Sequence, residues 1–267
     1  MSAAATEPGT EGLSDDTFLG GAVRLLQPVD AYRAGLDAVM LAAAAPAQSG
    51  RNERVLDAGA GVGTVGLCIA RRIPDAHLTL VEREPALADL ARRNSDRNGL
   101  SDRVQVVVAD VALGGAVVQG KSAHPDLAPA SFDHVLANPP FHATGAGRRP
   151  ASRLKAAAHL MAPGDLDRWV AFLATATRAG GSCTLIHRTS ALSELLAALD
   201  GRFGGISIYP LFPHAGEPAS RVIIQGWKGS RSPLILRTGL VLHADGHGFT
   251  PAAEAVLRHG APLPIGP

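Results

Sequence analysis

Three acidic residues end three successive apolar runs: Asp57 ends Arg54-Val-Leu-Asp57, Glu82 ends Leu78-Thr-Leu-Val-Glu82, and Asp110 ends Val104-Gln-Val-Val-Val-Ala-Asp110. The first is followed at once by Ala58-Gly59-Ala60-Gly61-Val62-Gly63, a glycine-rich turn between a strand and a helix. Glycine lets a backbone approach a ligand closely because no Cβ intervenes. In an open α/β sheet that ligand lies at the carboxyl ends of the strands. A carboxylate at the end of the second strand can take both hydroxyls of a ribose, whether of NAD or of S-adenosylmethionine. Asp57 would set negative charge beside a pyrophosphate, and it suits the cationic sulfonium and ammonium of S-adenosylmethionine better. Asp110 can accept from an adenine amino group. Any one of these carboxylates could equally cap a helix; three at successive strand ends point to a site.

A second constellation is Asn138-Pro139-Pro140-Phe141, at the end of the run Phe132-Asp-His-Val-Leu-Ala137. Two consecutive prolines stiffen the turn and remove two N–H donors. What remains are acceptors: the Asn138 side-chain carbonyl and the Pro139 backbone carbonyl. A planar NH2 group needs acceptors for its two protons, so that its nitrogen lone pair is localised for attack. Phe141 offers a face to the ring bearing that nitrogen.

The elements that must position these residues follow from pattern. Apolar runs of strand length alternate with helical stretches: Tyr32 to Ala45, the segment from Gly63 through Arg72, Pro85 to Asn98, Leu166 to Arg178 and Ser190 to Leu199. Ser182 to His187 is a further strand, and Ile206 to Leu211 with Arg221 to Trp227 forms a strand pair without an intervening helix. Gly114 to Pro129 reads as a loop insertion. Alternation of this kind implies an α/β fold, a doubly wound, mostly parallel seven-stranded sheet with an antiparallel C-terminal edge. Residues 1–16, small, polar and acidic, read as a disordered tail without the basic and apolar regions of a secretory signal.

The glycine turn with Asn138-Pro-Pro-Phe141 resembles the amino-methyltransferases that modify adenine, guanine or glutamine nitrogen. Two further stretches narrow the resemblance. Leu26-Gln27-Pro28 with Tyr32-Arg33-Ala-Gly35-Leu-Asp37-Ala38-Val39 is similar to the segment preceding the nucleotide fold in bacterial tRNA1(Val) adenine-N6 methyltransferases. Leu185-Ile-His-Arg188, Pro213 to Gly216, Ala219-Ser-Arg-Val-Ile223, Lys228-Gly229 and Gly239-Leu-Val-Leu-His243 match that family's C-terminal half. The similarity spans residues 17–262, a single class I methyltransferase domain with a Rossmann-like fold. It implies methylation of N6 of adenosine 37 in tRNA(Val), with S-adenosylmethionine as cofactor and the anticodon-loop region of a tRNA as partner. It further implies Asp57, Ala58, Gly59, Gly61, Glu82, Asp110 and Asn138 as cofactor contacts, and Asn138, Pro139, Pro140 and Phe141 as the catalytic loop. Arg33 and Asp37 would close the methionine end of the cofactor pocket. His142 after Phe141 also resembles ribosomal-RNA guanine-N2 methyltransferases, which would not predict the segment at 24–37 or the C-terminal half. A protein glutamine methyltransferase is a further alternative, for which too few residues precede Asp57. A non-catalytic RNA-binding module is the alternative of a different class, and an NAD-dependent dehydrogenase lacks a hydride-transfer constellation.

Bulk composition constrains how RNA would be held. Lys and Arg number 25 against 24 Asp and Glu, a net charge of +1, so a polyanion must be met by a local patch. Aromatic residues are 4%, too few to stack many bases but enough for a single flipped one. The local patch is Arg148, Arg149, Arg153 and Lys155, with no acidic residue between Phe141 and Asp165. Such a stretch beside the catalytic loop would pair with phosphates. No metal site is expected: His243 and His247 are four apart but bracketed by Gly246 and Gly248, and no carboxylate–histidine cluster supports them. Cys68 and Cys183 read as core in a reducing cytoplasm, Trp169 and Trp227 as packing, and no run is long enough to span a bilayer.

Overall fold

The computed structural model describes residues 12–29, 33–114, 116–117, 124–140, 164–246 and 248–266. Its first element is an antiparallel hairpin, β1 (Leu13–Phe18) and β2 (Val23–Pro28), turned through a 3-10 segment at Leu19–Gly21. The tail expected over residues 1–16 is therefore too long, since Leu13 to Asp16 are already strand. Their acidic side chains are neutralised by arginines far away in sequence. Arg24 and Arg97 reach Asp15 at 2.7 and 2.8 Å, and Arg33 reaches Asp16 at 2.5 Å. β2 carries the buried side of the hairpin, through Val23, Leu25, Leu26 and Gln27.

Then come α1 (Leu36–Ala44), β3 (Arg54–Ala58), α2 (Thr64–Arg72), β4 (His77–Glu82), α3 (Pro85–Arg97) and β5 (Val104–Asp110). After the two-residue β6 (Ala116–Val117) follow β7 (Phe132–Ala137), α4 (Asp165–Ala176), β8 (Thr177–Arg188) and α5 (Leu192–Leu199). β9 (Gly204–Phe212), β10 (Arg221–Trp227), β11 (Ile235–Leu236), β12 (Leu240–Val241) and α6 (Pro251–His259) complete the order. The stretch 114–129, expected as plain loop, holds β6 and a 3-10 turn at Pro125–Leu127.

Apart from the hairpin, the strands form one mixed sheet, β11-β9-β10-β8-β7-β3-β4-β5-β6, with β12 also paired to β9. β5, β4, β3, β7 and β8 run parallel, and β10 is antiparallel to both β8 and β9. The seven long strands are those expected; β6, β11 and β12 widen the sheet to ten, and two-residue strands are too short to show an alternation. The chain builds outward from β3 through β4 to β5, then returns to lay β7 on the other side of β3. That reversal makes the β3–β7 boundary the topological switch point, where open α/β sheets bind ligands.

Helices cover both faces. On one, α1, α2 and α6 bury Met40, Leu41, Leu67, Ile69 and Val256; on the other, α4 and α5 bury Leu166, Val170, Leu173, Leu195 and Leu199. α6 is absent from the sequence reading although its signals are present. Thr250 caps it by accepting from the Ala253 N–H at 3.1 Å, Pro251 opens it, and Gly260 ends it at a φ of 67°. Residues after α6 seal the first face: the Leu263 N–H donates to the Ala43 carbonyl, and Arg72 Nε to the Gly260 carbonyl, both at 2.9 Å. Among the described residues no helix is long and apolar enough to cross a membrane.

Candidate active site

Strand register brings the two sequence constellations together. Ala58 of β3 pairs with Ala137 of β7, so Gly59 and Asn138, the next residue on each, leave adjacent strands side by side. On the other flank Ala58 pairs with Val81 and Glu82 with Val108, which puts Glu82 and then Asp110 along the same rim. Asn138, Gly59, Glu82 and Asp110 thus stand on four neighbouring strands, a line of about 14 Å at ~4.8 Å per strand. Asn138 and Pro140 are partly exposed and Pro139 is buried. Phe141, Arg148, Arg149, Arg153 and Lys155 lie outside the described residues.

The glycine turn divides its work. A Cβ on Gly63 would press on Leu80, Ala91 and Leu67, and one on Gly66 would overlap Leu80, so both serve helix-to-strand packing. A Cβ on Gly59 would lie 2.5 Å from Cη2 of Trp169. Only at Gly61 does the missing Cβ look onto open space, and there φ is 57°. Of the three glycines of the turn, Gly61 is thus the one whose surroundings leave room for a close approach. The turn is anchored by the Gly59 and Ala60 N–H groups, which both donate to the Val81 carbonyl, at 2.8 and 2.9 Å.

Each carboxylate of the line braces backbone. Glu82 accepts from the Gly61 N–H at 2.8 Å and the Glu84 N–H at 2.9 Å. Burial holds its carboxyl above the usual carboxylate range, against those N–H bonds. Asp57 is 1% exposed and accepts from the Gly66 N–H at 3.0 Å, beneath the turn. Burial, and secondarily the negative charge of Glu82, push its pKa up to about 7 although the Gly66 bond pulls it down. Its influence on a ligand above the turn passes through the field and the loop's shape. Asp110 accepts from the Ala112 N–H at 2.9 Å, capping the 3-10 turn after β5. A carboxylate has about four lone-pair sites, so Glu82 and Asp110 keep acceptor capacity for a ligand.

The segment before β3 folds into a network of its own. Gln27 is 1% exposed; its Oε1 accepts from the Ala34 N–H at 2.8 Å and its Nε2 donates to Asp16 at 2.8 Å. Arg33 is ion-paired to that same Asp16. Asp37, in the first turn of α1, pairs with Arg221 at the start of β10 at 2.9 Å. Arg221 in turn registers with Arg188 at the end of β8, on the same edge of the sheet as Asn138. Asp37 is thus joined to the rim through Arg221 and Arg33 to the hairpin through Asp16, partners that sequence alone does not pair with them.

Trp169 is the residue that sequence reasoning under-reads. It lies on α4, which also packs against the 3-10 turn at Val111–Leu113 following Asp110. Its indole edge lies against Gly59 and stays partly exposed, so it lines the site as well as filling core. Cys68 and Cys183 are fully buried, and burial pushes the Cys68 thiol to about 12 and Cys183 higher still. Neither is a nucleophile at neutral pH.

Comparison with known proteins finds methyltransferases. A release factor glutamine methyltransferase of Chlorobaculum tepidum is 33% identical over 99 residues, 37% of this chain and 31% of that protein. A tRNA1(Val) (adenine(37)-N6)-methyltransferase of Bacteroides thetaiotaomicron is 34% identical over 112 residues, 42% of this chain and 41% of that one. Its namesake from Aeromonas hydrophila is 28% identical over 204 residues, covering 74% and 78%. The matches thus span less than half of the first two relatives' own lengths. Among solved structures, a protein of Agrobacterium tumefaciens described as a predicted O-methyltransferase superposes with a TM-score of 0.67 at 30% identity, over 85% of this chain and 97% of that one. The family model for the methyltransferase small domain matches residues 36–171, from the start of α1 through the glycine turn and the Asn-Pro-Pro segment into α4, and the chain belongs to that family.

Proposed function

We propose that the chain is an S-adenosylmethionine-dependent RNA methyltransferase acting on N6 of adenosine 37 in tRNA(Val). The observation that carries this reading is the side-by-side emergence of Gly59 and Asn138 at the switch point. Residues of this chain fit the cofactor. Gly61 offers open backbone, Glu82 has acceptor capacity for the ribose hydroxyls and Asp110 for an adenine amino group. A cation above the turn would favour the charged forms of the Asp57 and Glu82 carboxyls, which burial otherwise disfavours. When bound, S-adenosylmethionine supplies an electrophilic methyl group.

The chain's own part is to bind, orient and exclude water. The target adenine leaves its stack and enters at the Asn138-Pro139 segment. Its exocyclic N–H bonds are donated to the Asn138 side-chain carbonyl and the Pro139 carbonyl, which localises the nitrogen lone pair. Alignment in this pocket supplies much of the rate. No strong base is needed, because the nitrogen becomes acidic only after it has been methylated. The relatives named as tRNA adenine-N6 methyltransferases support the RNA acceptor over the glutamine one, and the Aeromonas alignment, at 74% of this chain, supports it over most of the length.

The test is incubation with methyl-labelled S-adenosylmethionine and, separately, unmodified tRNA, ribosomal RNA and ribosome-free protein extract, with identification of the labelled product. N6-methyladenosine in tRNA is expected. Label in guanine or glutamine keeps the chemistry and overturns the acceptor, and no label in any of the three overturns the reading. Asn138→Ala is expected to lose on the order of 10²-fold in turnover, far more than it loses in S-adenosylhomocysteine affinity, as loss of one preorganised partner of a transition state does. Equal turnover at saturation would remove Asn138 from the chemistry.

A further inference from the structure

Three rings stand in a row outside the site described above. The imidazoles of His214 and His243 have centroids 5.2 Å apart at 32°, and His243 lies 5.0 Å from Phe249 at 23°. The backbone fixes the row: the His243 N–H donates to the Pro213 carbonyl at 3.0 Å, and His243 and Phe249 form an antiparallel bridge. All three residues are partly exposed, so the row is held in one orientation at the solvent boundary, with Phe249 backed by the core.

Register sets the row on the catalytic edge. His214 follows the end of β9, where Leu211 pairs with Arg221 of β10, which pairs with Arg188 at the end of β8. β8 is the neighbour of β7, the strand that delivers Asn138. β12, just before His243, pairs its Val241 with Phe212 at the same edge. From β7 through β8 and β10 to β9 is about 14 Å at ~4.8 Å per strand, a distance that a short single-stranded segment spans. Exposed Glu217 and Asp245 sit in the same two loops as the rings, so the chemistry on offer here is stacking rather than phosphate pairing.

We propose that the His214–His243–Phe249 row is a second RNA contact, a platform on which an unpaired base near the target nucleotide stacks while the target enters at Asn138. The inference rests on the RNA reading of the preceding subsection. Extruding a base deprives its neighbours of a stacking partner, and a prepositioned ring returns one. Every base has a π face, so the platform contributes affinity and register rather than base identity.

The test compares His214→Ala, His243→Ala, His214→Phe and the unaltered chain. The probe is an unmodified anticodon stem-loop transcript of tRNA(Val), followed by fluorescence anisotropy and by methyl transfer. The alanine variants are expected to bind the stem-loop about tenfold more weakly and to raise KM with kcat within a factor of two. S-adenosylhomocysteine affinity and melting temperature should stay as they were, and His214→Phe should restore RNA binding. Unchanged RNA affinity in the alanine variants overturns the platform alone. So does a loss that phenylalanine fails to rescue, or one accompanied by loss of cofactor binding. An unaltered chain that methylates glutamine peptide and no RNA overturns the underlying reading and the platform with it.

Discussion

Asp57 joins the site's chemistry to its stability. Its folded-state pKa, about 7, lies above the ordinary value of 3.8. The folded chain thus holds this proton more tightly than the unfolded one, so the contribution is present at low pH and is lost as pH rises from about 4 to about 7. Asp57→Asn, which can still accept from Gly66, should flatten that part of the profile by up to about 1.4 kcal/mol per pH unit. Urea titrations at pH 4, 5.5 and 7 measure it, and a parallel slope in the variant would contradict the burial argument. The glycines make a sharper residue-scale contrast. Gly59→Ala meets both a positive φ and the Trp169 indole, and should cost about 2–5 kcal/mol in stability. Gly61→Ala meets the φ penalty alone, about 1–2 kcal/mol, yet should lose more than tenfold in S-adenosylhomocysteine affinity, because its Cβ enters the ligand's space. Calorimetry and thermal melts on the two variants separate these effects. Combining Gly59→Ala with Trp169→Ala should recover part of the first loss, as coupled neighbours do.

At the scale of elements, the hairpin depends on two asparagines of α3 and its cap. Asn94 accepts from the Leu26 N–H at 2.8 Å and donates to the Leu26 and Val62 carbonyls at 3.1 and 3.0 Å, all buried. Asn98 makes the equivalent pair with Arg24, accepting its N–H at 3.0 Å and donating to its carbonyl at 2.7 Å. Their amides do for β2 what a neighbouring strand would do. Asn94→Ala leaves buried backbone groups without partners and should cost about 2–4 kcal/mol. Hydrogen exchange should quicken first over residues 23–28 of the hairpin. This dependence explains what the sequence reading could and could not resolve. The parallel strands and the rim carboxylates were legible because continuous apolar runs ending in an acid, glycine or Asn-Pro-Pro are local signals. The first strand of the hairpin, β1, was not, because Asp15 and Asp16 look like tail until arginines 9 to 82 residues away are brought to them. Trp169 was half legible: its burial follows from helical spacing, but its contact with Gly59 arises only when α4 crosses the sheet.

For the whole molecule, near-neutral charge implies that RNA affinity comes from few phosphates. With the stretch Arg148, Arg149, Arg153 and Lys155 as the phosphate contact, the slope of log affinity against log salt should be shallow. Replacing all four by alanine should reduce it by roughly 3, at about 0.7–0.9 per phosphate. An unchanged slope would move the electrostatic contact elsewhere. The molecule is also closed by its far end: the Gly260 carbonyl receives Arg72, the Leu263 N–H reaches Ala43, and Ile265 is fully buried. During synthesis, β3, β4, β5 and the glycine turn emerge early and can pair, while the apolar face of α1 and α2 stays bare until residues some 190 positions later leave the ribosome. A chain interrupted before Gly260 would already hold the carboxylates, the turn and Asn138, yet present an open hydrophobic flank to chaperones and proteases.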